Sequence, residues 1–153
     1  RTTDTDILKV NKILEAMDLS QYANRPFNEI SAGQHQRVSI ARGLIQETEI
    51  LILDEPASNL DIKYRIFVTD FLREVAHRRN MLIIMISHSL EVTSMFADKV
   101  VLMGAPGMIV KTGTASEVIT AENMKAVYGV NCKVVEHEGR PQLLYCRELD
   151  DET

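Results

Sequence analysis

Two adjacent carboxylates, Asp54 and Glu55, directly follow the short apolar run Ile50–Leu53. Phosphoryl transfer uses such a pair, because one acid is needed on Mg²⁺ and a second on the attacking water. The side chains of consecutive residues diverge enough to divide these two tasks. An ordinary turn at the end of a strand also accounts for the pair when it is taken alone, but the neighbouring motifs favour phosphoryl transfer.

A second candidate group, formed by Ser31, Ala32, Gly33 and Gln34, opens a predicted helix. The free backbone N–H groups and the positive dipole end of a helix N-terminus can face an anion such as a γ-phosphate. Ser31 and Gln34 also fit the capping-box pattern, in which each side chain binds the other residue's backbone and no ligand is needed. Taken alone, the pattern favours the cap, so the phosphate interpretation depends on the other motifs.

His88 follows a second apolar run, Met81–Ile86. Its imidazole could donate a hydrogen bond to a phosphate oxygen, although a histidine in this position is more often an ordinary loop residue. The flanking residues Ser87 and Ser89 do not make a hydrolase triad, because the members of a triad must be brought together in space and adjacency in sequence does not achieve this.

The elements between these residues predict how they are positioned. The two apolar runs are typical of buried strands covered on both faces, and the segment from Asp61 to Arg79 has helical spacing, with Asp61 as a cap and Asn80 as a stop. A strand, a helix and a strand form a βαβ crossover, which places both strand ends on the same edge of a parallel sheet. We therefore expect the acidic pair and His88 to meet where ligands of α/β sheets bind.

Other elements are predicted from helical spacing, capping patterns and turn residues. They are a helix from Asp4 or Asp6 to about Asp18, a helix from Ser31 to near Gln46, a helix from Ser89 to Ala97, a hairpin of Lys99–Met103 with Met108–Lys111, a helix from Thr114 to Tyr128, and a hairpin of Val130–Glu136 with Gln142–Cys146. On this basis we divide the chain into residues 1–113, with subregions 1–47 and 48–113, and an extension of residues 114–153.

Composition restricts the classes of function. The chain has 153 residues and a net charge of -5, so it lacks the basic footprint of a nucleic-acid or anionic-lipid binder. No apolar run approaches the roughly 20 residues that span a bilayer, and the N-terminus has no signal-peptide pattern. Cys132 and Cys146 are expected to be reduced, although a turn at Gly139 would bring them across from each other in the last hairpin.

None of the seven glycines is followed by lysine, which excludes the phosphate-binding pattern Gly-x-x-x-x-Gly-Lys-Ser/Thr from this sequence. The sequence also contains no zinc-ligand spacing. The candidate phosphoryl-transfer residues are therefore present without the glycine loop that would hold the phosphates.

From about Asp4 to Gly129 the chain resembles the C-terminal portion of an ABC transporter nucleotide-binding subunit. Ile30–Val38 looks like the signature motif, Ile50–Glu55 like Walker B with its glutamate, and Ser58–Asp61 like the D-loop. The resemblance implies an α/β fold, namely part of the P-loop NTPase fold of ABC ATPases with a parallel sheet and flanking helices, followed by a C-terminal helix and β-hairpin.

The same resemblance implies roles for the candidate residues, with ATP and Mg²⁺ as cofactors. Asp54 would hold Mg²⁺ through water, Glu55 would polarise the attacking water, and His88, as the switch histidine, would touch the γ-phosphate. Ser31–Gln34 would close over ATP held by a second subunit, with Asp61 at the seam of a head-to-tail homodimer. Ala32 departs from the family, which usually has glycine there.

The family further implies membrane permease subunits as partners, a cytoplasmic location at the inner face of the membrane, and no nucleic acid. Ala97–Met103, Gly113–Val118 and Val127–Val130 resemble importers of iron chelates, haem or cobalamin. The alternatives are a non-transport ABC ATPase of translation or DNA repair and a catalytically silent interaction module. Walker A and an assignable Q-loop glutamine are missing from the sequence. We therefore expect the chain to be part of a longer protein and to be inactive alone. We also expect it to self-associate through an exposed sheet edge.

Overall fold

The computed structural model describes residues 3–145, which form two compact units divided between His88 and Ser89. No helix within this described part of the chain has the length and apolar character needed to cross a membrane. The boundary that the sequence suggests between residues 113 and 114 stays a prediction.

The first unit contains the βαβ crossover that the sequence predicts. Its elements are α1 (Asp4–Ala16), α2 (Ala32–Ile45), β1 (Ile50–Asp54), α3 (Ile62–Arg79) and β2 (Leu82–Ile86), with short 3₁₀ turns at Ser20–Tyr22 and Phe27–Glu29. As predicted, the Asp61 side chain caps α3, and Asn80 ends it in a left-handed conformation. The cap of α1 is different: Thr3 is the N-cap, and Asp6 is its capping-box partner.

Strands β1 and β2 pair in parallel, with Asp54 opposite Ile86 at the end of the ladder. The inward face of this pair, which includes Leu51 and Ile83, packs against the main core of the unit. That core is formed by side chains of α1, α2 and α3 and the segments next to them, among them Met17, Leu19, Ile40, Leu44, Val68 and Leu72.

The outward face of the same strands is exposed, which corrects the expectation that both faces are covered. Ile52 is 65% exposed, and Ile50, Leu82, Ile84 and Ile86 are also exposed. Apolar residues at every position make both faces of a strand hydrophobic, but the helices of the first unit cover the inward face. The result is a contiguous apolar surface, which we call the outer sheet face and define as these five residues.

A buried arginine joins the three helices of the first unit. The Arg37 side chain in α2 is 4% exposed and donates through Nη1 to the backbone carbonyls of Met17, at 2.7 Å, and Asp18, at 3.0 Å. Its guanidinium lies 3.9 Å from the centre of the Tyr64 ring in α3. The Tyr64 hydroxyl donates to Asp18 Oδ2 at 2.6 Å, which closes the network.

The second unit consists of α4 (Leu90–Phe96), β3 (Val100–Gly104), β4 (Met108–Gly113), α5 (Ala115–Val118), α6 (Ala121–Tyr128), β5 (Cys132–His137) and β6 (Arg140–Tyr145). Strands β3 and β4 form one antiparallel hairpin, and β5 and β6 form another. Both hairpins agree with the sequence prediction. The small core of this unit includes Leu102, Val118, Met124 and Cys132.

The predicted single helix from Thr114 to Tyr128 is wrong, because the segment forms two helices. Thr114 caps α5 with the predicted capping box, but Thr120 then acts as a second N-cap and accepts a hydrogen bond from the Asn123 N–H. Gly129 ends α6 in a left-handed conformation, as expected. Cys132 is buried with a free thiol, and the predicted contact with Cys146 lies outside the described residues.

Replacing Arg37 with methionine is expected to lower the free energy of unfolding by about 2–4 kcal/mol, since each buried acceptor left without a donor costs about 1–3 kcal/mol. Urea unfolding followed by circular dichroism measures the change. Arg42→Met is the matched control, because Arg42 lies on the same helix and is exposed. Equal stability of the two variants would contradict the structural role of Arg37.

The hydrogen bond from Tyr64 holds the pKa of Asp18 below its usual range, and the same bond raises the pKa of Tyr64. Because the folded-state pKa of Asp18 is depressed, its stabilising contribution is present above the unfolded pKa and is lost as the pH falls through the folded pKa. We expect Tyr64→Phe to return the Asp18 pKa toward its ordinary value in an NMR titration of the carboxyl carbon. An unchanged Asp18 pKa in this variant would show that the bond does not form in solution.

The outer sheet face is expected to drive self-association of the chain, because contiguous exposed apolar surface of this kind is rarely left uncovered. Sedimentation velocity over a range of concentrations should show oligomers for the chain and a monomer for the double variant Ile52→Thr/Ile84→Thr. The control is Ile7→Thr/Ile62→Thr, which removes two exposed isoleucines from helices α1 and α3. A wild-type chain that remains monomeric at high concentration would refute the expectation.

Candidate functional site

The structure brings Glu55 and His88 together at the carboxyl edge of the β1–β2 pair. The Glu55 N–H donates to the Ile86 carbonyl at 2.9 Å, which continues the ladder one residue beyond the strand. The His88 N–H donates to Glu55 Oε1, also at 2.9 Å. The parallel register therefore places the two residues in contact, as the crossover argument predicts.

The two side chains differ in their freedom to meet a ligand. The Glu55 carboxylate is 31% exposed and is oriented by the His88 backbone, whereas the His88 side chain is 91% exposed. The His88 Nε2 atom lies 3.6 Å from Glu55 Oε1, beyond a normal hydrogen bond. The carboxylate is thus held by a backbone hydrogen bond, whereas the imidazole is largely exposed to the solvent in front of the edge.

Asp54 is exposed at the end of β1, next to Glu55 and opposite Ile86. No group of three or more His, Cys, Asp or Glu side chains within residues 3–145 could hold a metal ion by itself. This arrangement fits Mg²⁺ in the form in which proteins usually bind it, with one or two carboxylates, several waters and the phosphates of a nucleotide. Asp54 offers one such carboxylate at this edge of the sheet.

The backbone of Glu55 has an unusual conformation. Its φ angle is 47°, in the left-handed region that residues other than glycine seldom adopt. The Glu55 carbonyl accepts hydrogen bonds from the Ser58 N–H at 3.2 Å, the Ser58 hydroxyl at 3.0 Å and Gln36 Nε2 at 3.1 Å. These bonds hold a turn that directs the chain from β1 toward Asp61.

Ser31 and Gln34 form the capping box that the sequence offered as one of two interpretations. The Gln34 N–H donates to Ser31 Oγ at 3.3 Å, and the Ser31 N–H donates to Gln34 Oε1 at 2.7 Å. Ala32 is exposed on the first turn of α2. The side chains of the predicted phosphate-facing group are therefore engaged with each other, at the accessible end of a helix.

The D-loop-like segment lies against this helix end. A Cβ atom placed on Gly33 would lie 3.2 Å from the Asn59 carbonyl oxygen, so only glycine allows this approach without a local shift. Asp61 caps α3 by accepting from the Tyr64 N–H at 2.9 Å. The structure thus places the segment that contains Asp61 beside Gly33, while Glu55 lies at the other end of the same loop.

Two residues of the site region were not given roles by the sequence reasoning. Arg37 falls on the inward stripe of α2, four residues before Ala41 and seven before Leu44, and a cation at such a position signals a buried polar network. Gln36 has no comparable signal, because its bond to the Glu55 carbonyl depends on tertiary contact between α2 and the turn.

Comparison with known proteins gives a consistent result. Residues 3–58 match the family model described as ABC transporter. The chain is 39% identical over 139 residues to an uncharacterized ABC transporter ATP-binding protein of Methanocaldococcus jannaschii, covering 91% of this chain and 54% of that protein. It is 33% identical to the iron(3+)-hydroxamate import ATP-binding protein of Bacillus subtilis, over 88% of this chain and 50% of that protein.

A third relative, the hemin import ATP-binding protein of Rhizobium meliloti, is 37% identical over 81% of this chain and 50% of its own length. The chain spans about half the length of these curated relatives.

Two solved structures share the fold. One is described as a metal-chelate type ABC transporter in an inward-facing conformation and aligns with a TM-score of 0.82 at 24% identity, covering 96% of this chain and 60% of that chain. The other is the ADP conformation of an ATP-binding cassette, with a TM-score of 0.67 at 24% identity, over 78% of this chain and 48% of that chain. The motifs, the crossover geometry and these similarities lead to one conclusion: over 91% of its length the chain corresponds to part of an ABC transporter ATP-binding protein.

Proposed function

We propose that this chain forms part of an ATP-hydrolysing subunit of an ABC importer. The observation that carries the proposal is the placement of a half-buried Glu55 carboxylate at the edge of a parallel sheet, held there by the His88 N–H. A carboxylate fixed in this way can accept a proton from a water molecule that attacks a phosphate. Family membership supplies the substrate class, a nucleoside triphosphate.

The proposal assigns catalytic roles to three side chains. Glu55 orients and polarises the attacking water, and the exposed His88 imidazole donates a hydrogen bond to a γ-phosphate oxygen. Asp54 would hold Mg²⁺ through water, and the ion would supply positive charge to neutralise the phosphates of ATP. The glycine loop that cradles those phosphates is not present in this sequence, so these residues act only where another segment supplies it.

A second copy of the subunit completes the site. We propose that the N-terminus of α2, with Ser31, Ala32, Gly33 and Gln34, closes over ATP bound by the partner in a head-to-tail homodimer, with Asp61 at the seam. The exposure of Ser31 and Ala32 supports this role, because the helix end is accessible and its dipole favours an anion.

The names of the relatives support a transport substrate that contains iron. Several matching proteins are named for import of iron(3+)-hydroxamate, hemin, achromobactin or petrobactin. We propose that the complete subunit, bound to membrane permease subunits at the cytoplasmic face of the membrane, energises uptake of an iron chelate or haem. Cobalamin, the third substrate that the family resemblance implies, is not named by these four relatives.

In the complete subunit, Glu55→Gln is expected to lower ATP turnover by roughly 10² to 10⁴, the usual range for loss of a general base, with little change in KM. The 153-residue chain alone should hydrolyse no ATP. Phosphate release with Mg-ATP measures both. Glu49→Gln is the matched control, because Glu49 is exposed and lies just before β1.

Each of two results would contradict one of these two predictions. One is turnover in the complete subunit that survives Glu55→Gln. The other is turnover by the 153-residue chain that disappears in Glu55→Gln, since this would reveal a phosphate site within the chain itself.

A further inference from the structure

Gln36 joins helix α2 to the turn that carries Glu55. Its Nε2 group donates to the Glu55 backbone carbonyl at 3.1 Å, and the contact is partly buried. Gln36 lies two residues after the segment Ser31–Gln34. The bond therefore connects the N-terminal half of α2 with the candidate general base inside one chain.

The Glu55 turn requires such support because its backbone is strained. A left-handed conformation is unfavourable for a residue with a Cβ atom, because that atom then lies too close to the following carbonyl oxygen. Glu55 has a φ of 47° and precedes Pro56, although residues before proline favour extended backbone. The bonds from Ser58 come from within the turn, whereas the bond from Gln36 comes from a separate helix and fixes the turn relative to that helix.

A second contact also links helix α2 to the loop that follows Glu55. Gly33 approaches the Asn59 carbonyl so closely that an added Cβ would lie 3.2 Å from the oxygen. Helix α2 is thus in contact with both ends of the loop between Glu55 and Asp61. A shift of α2 must displace this loop, and with it the Glu55 carbonyl.

We propose that Gln36 is a positioning residue that sets the orientation of the Glu55 carboxylate through the Glu55 backbone. The inference deepens, and rests on, the proposed function of Glu55 as general base. The Gln36 amide holds the carbonyl of the strained turn. The carboxylate of the same residue then stays within reach of the His88 N–H and of the space in front of the sheet edge.

The structural test uses the 153-residue chain and needs no nucleotide. Gln36→Glu keeps the shape of the side chain but replaces the donor with a carboxylate that repels the carbonyl, and Gln36→Lys restores a donor. We expect hydrogen exchange of the His88 amide to accelerate on the order of tenfold in Gln36→Glu, as for the loss of one hydrogen bond, and to recover in Gln36→Lys. The buried Val68 amide reports global opening, and Gln46→Glu, at an exposed glutamine beyond α2, controls for charge.

Three results of this experiment overturn the proposal: an unchanged His88 exchange rate in Gln36→Glu, equal acceleration of His88 and Val68, or no recovery in Gln36→Lys. The first means that the bond has no effect on the turn, the second that Gln36 acts only on overall stability, and the third that a donor is not what matters.

The kinetic test uses the complete subunit. We expect Gln36→Glu to lower kcat about tenfold with KM for ATP unchanged, and Gln36→Lys to restore most of the rate. A wild-type subunit without ATP turnover would refute the proposed function while the exchange result stands on its own. Wild-type turnover combined with an unchanged kcat in Gln36→Glu would overturn the positioning role.

Discussion

Parallel strands cannot be joined by a tight turn, so the pairing of β1 with β2 requires the crossover through α3. The candidate site depends on this constraint. With Asp54 opposite Ile86, the next residues of both strands emerge side by side, and the Glu55 N–H extends the ladder by one more bond. His88 is then close enough for its N–H to reach the Glu55 carboxylate. A shift of the register by one residue would remove this contact and would also turn the inward apolar residues toward solvent.

Arg37 explains how the helices around this edge are held. Helix α1 ends at Ala16, and the carbonyls that follow a helix C-terminus have no partner within the helix. The guanidinium satisfies two of them, at Met17 and Asp18, and a cation is favoured at this end of the helix dipole. The same group lies over the Tyr64 ring, so one buried side chain fixes α1, α2 and α3 together. The Asp18 carboxylate is half exposed and 3.8 Å from Nη1, so carbonyls, more than the ion pair, compensate the buried charge.

The sequence predicts the features that depend on local patterns, and the structure agrees with them. The caps at Asp61, Thr114 and Gly129 and the two strands are of this kind, because each arises from residues a few positions apart. The exposed outer sheet face could not be predicted, since apolar composition does not reveal what covers a strand. The division of the predicted helix at Thr120 was missed, because the helical spacing of the whole segment is a stronger signal than a single threonine that can act as an N-cap. The bond made by Gln36 depends on tertiary contact and has no local signal.

The two interpretations of Ser31–Gln34, a helix cap and an anion site, are physically compatible. The capping box uses the N–H groups of Ser31 and Gln34, and the His35 N–H already donates to the Ser31 carbonyl. The N–H groups of the first helical residues, Ala32 and Gly33, have no acceptor within the helix, because no helical carbonyl precedes them by four residues. The cap therefore fixes the first turn while it leaves these two groups and the dipole directed outward. Since Gly33 also packs on the Asn59 carbonyl, the same turn is held rigidly against the loop that leads back to Glu55, and a rigid helix end loses less entropy when it binds an anion.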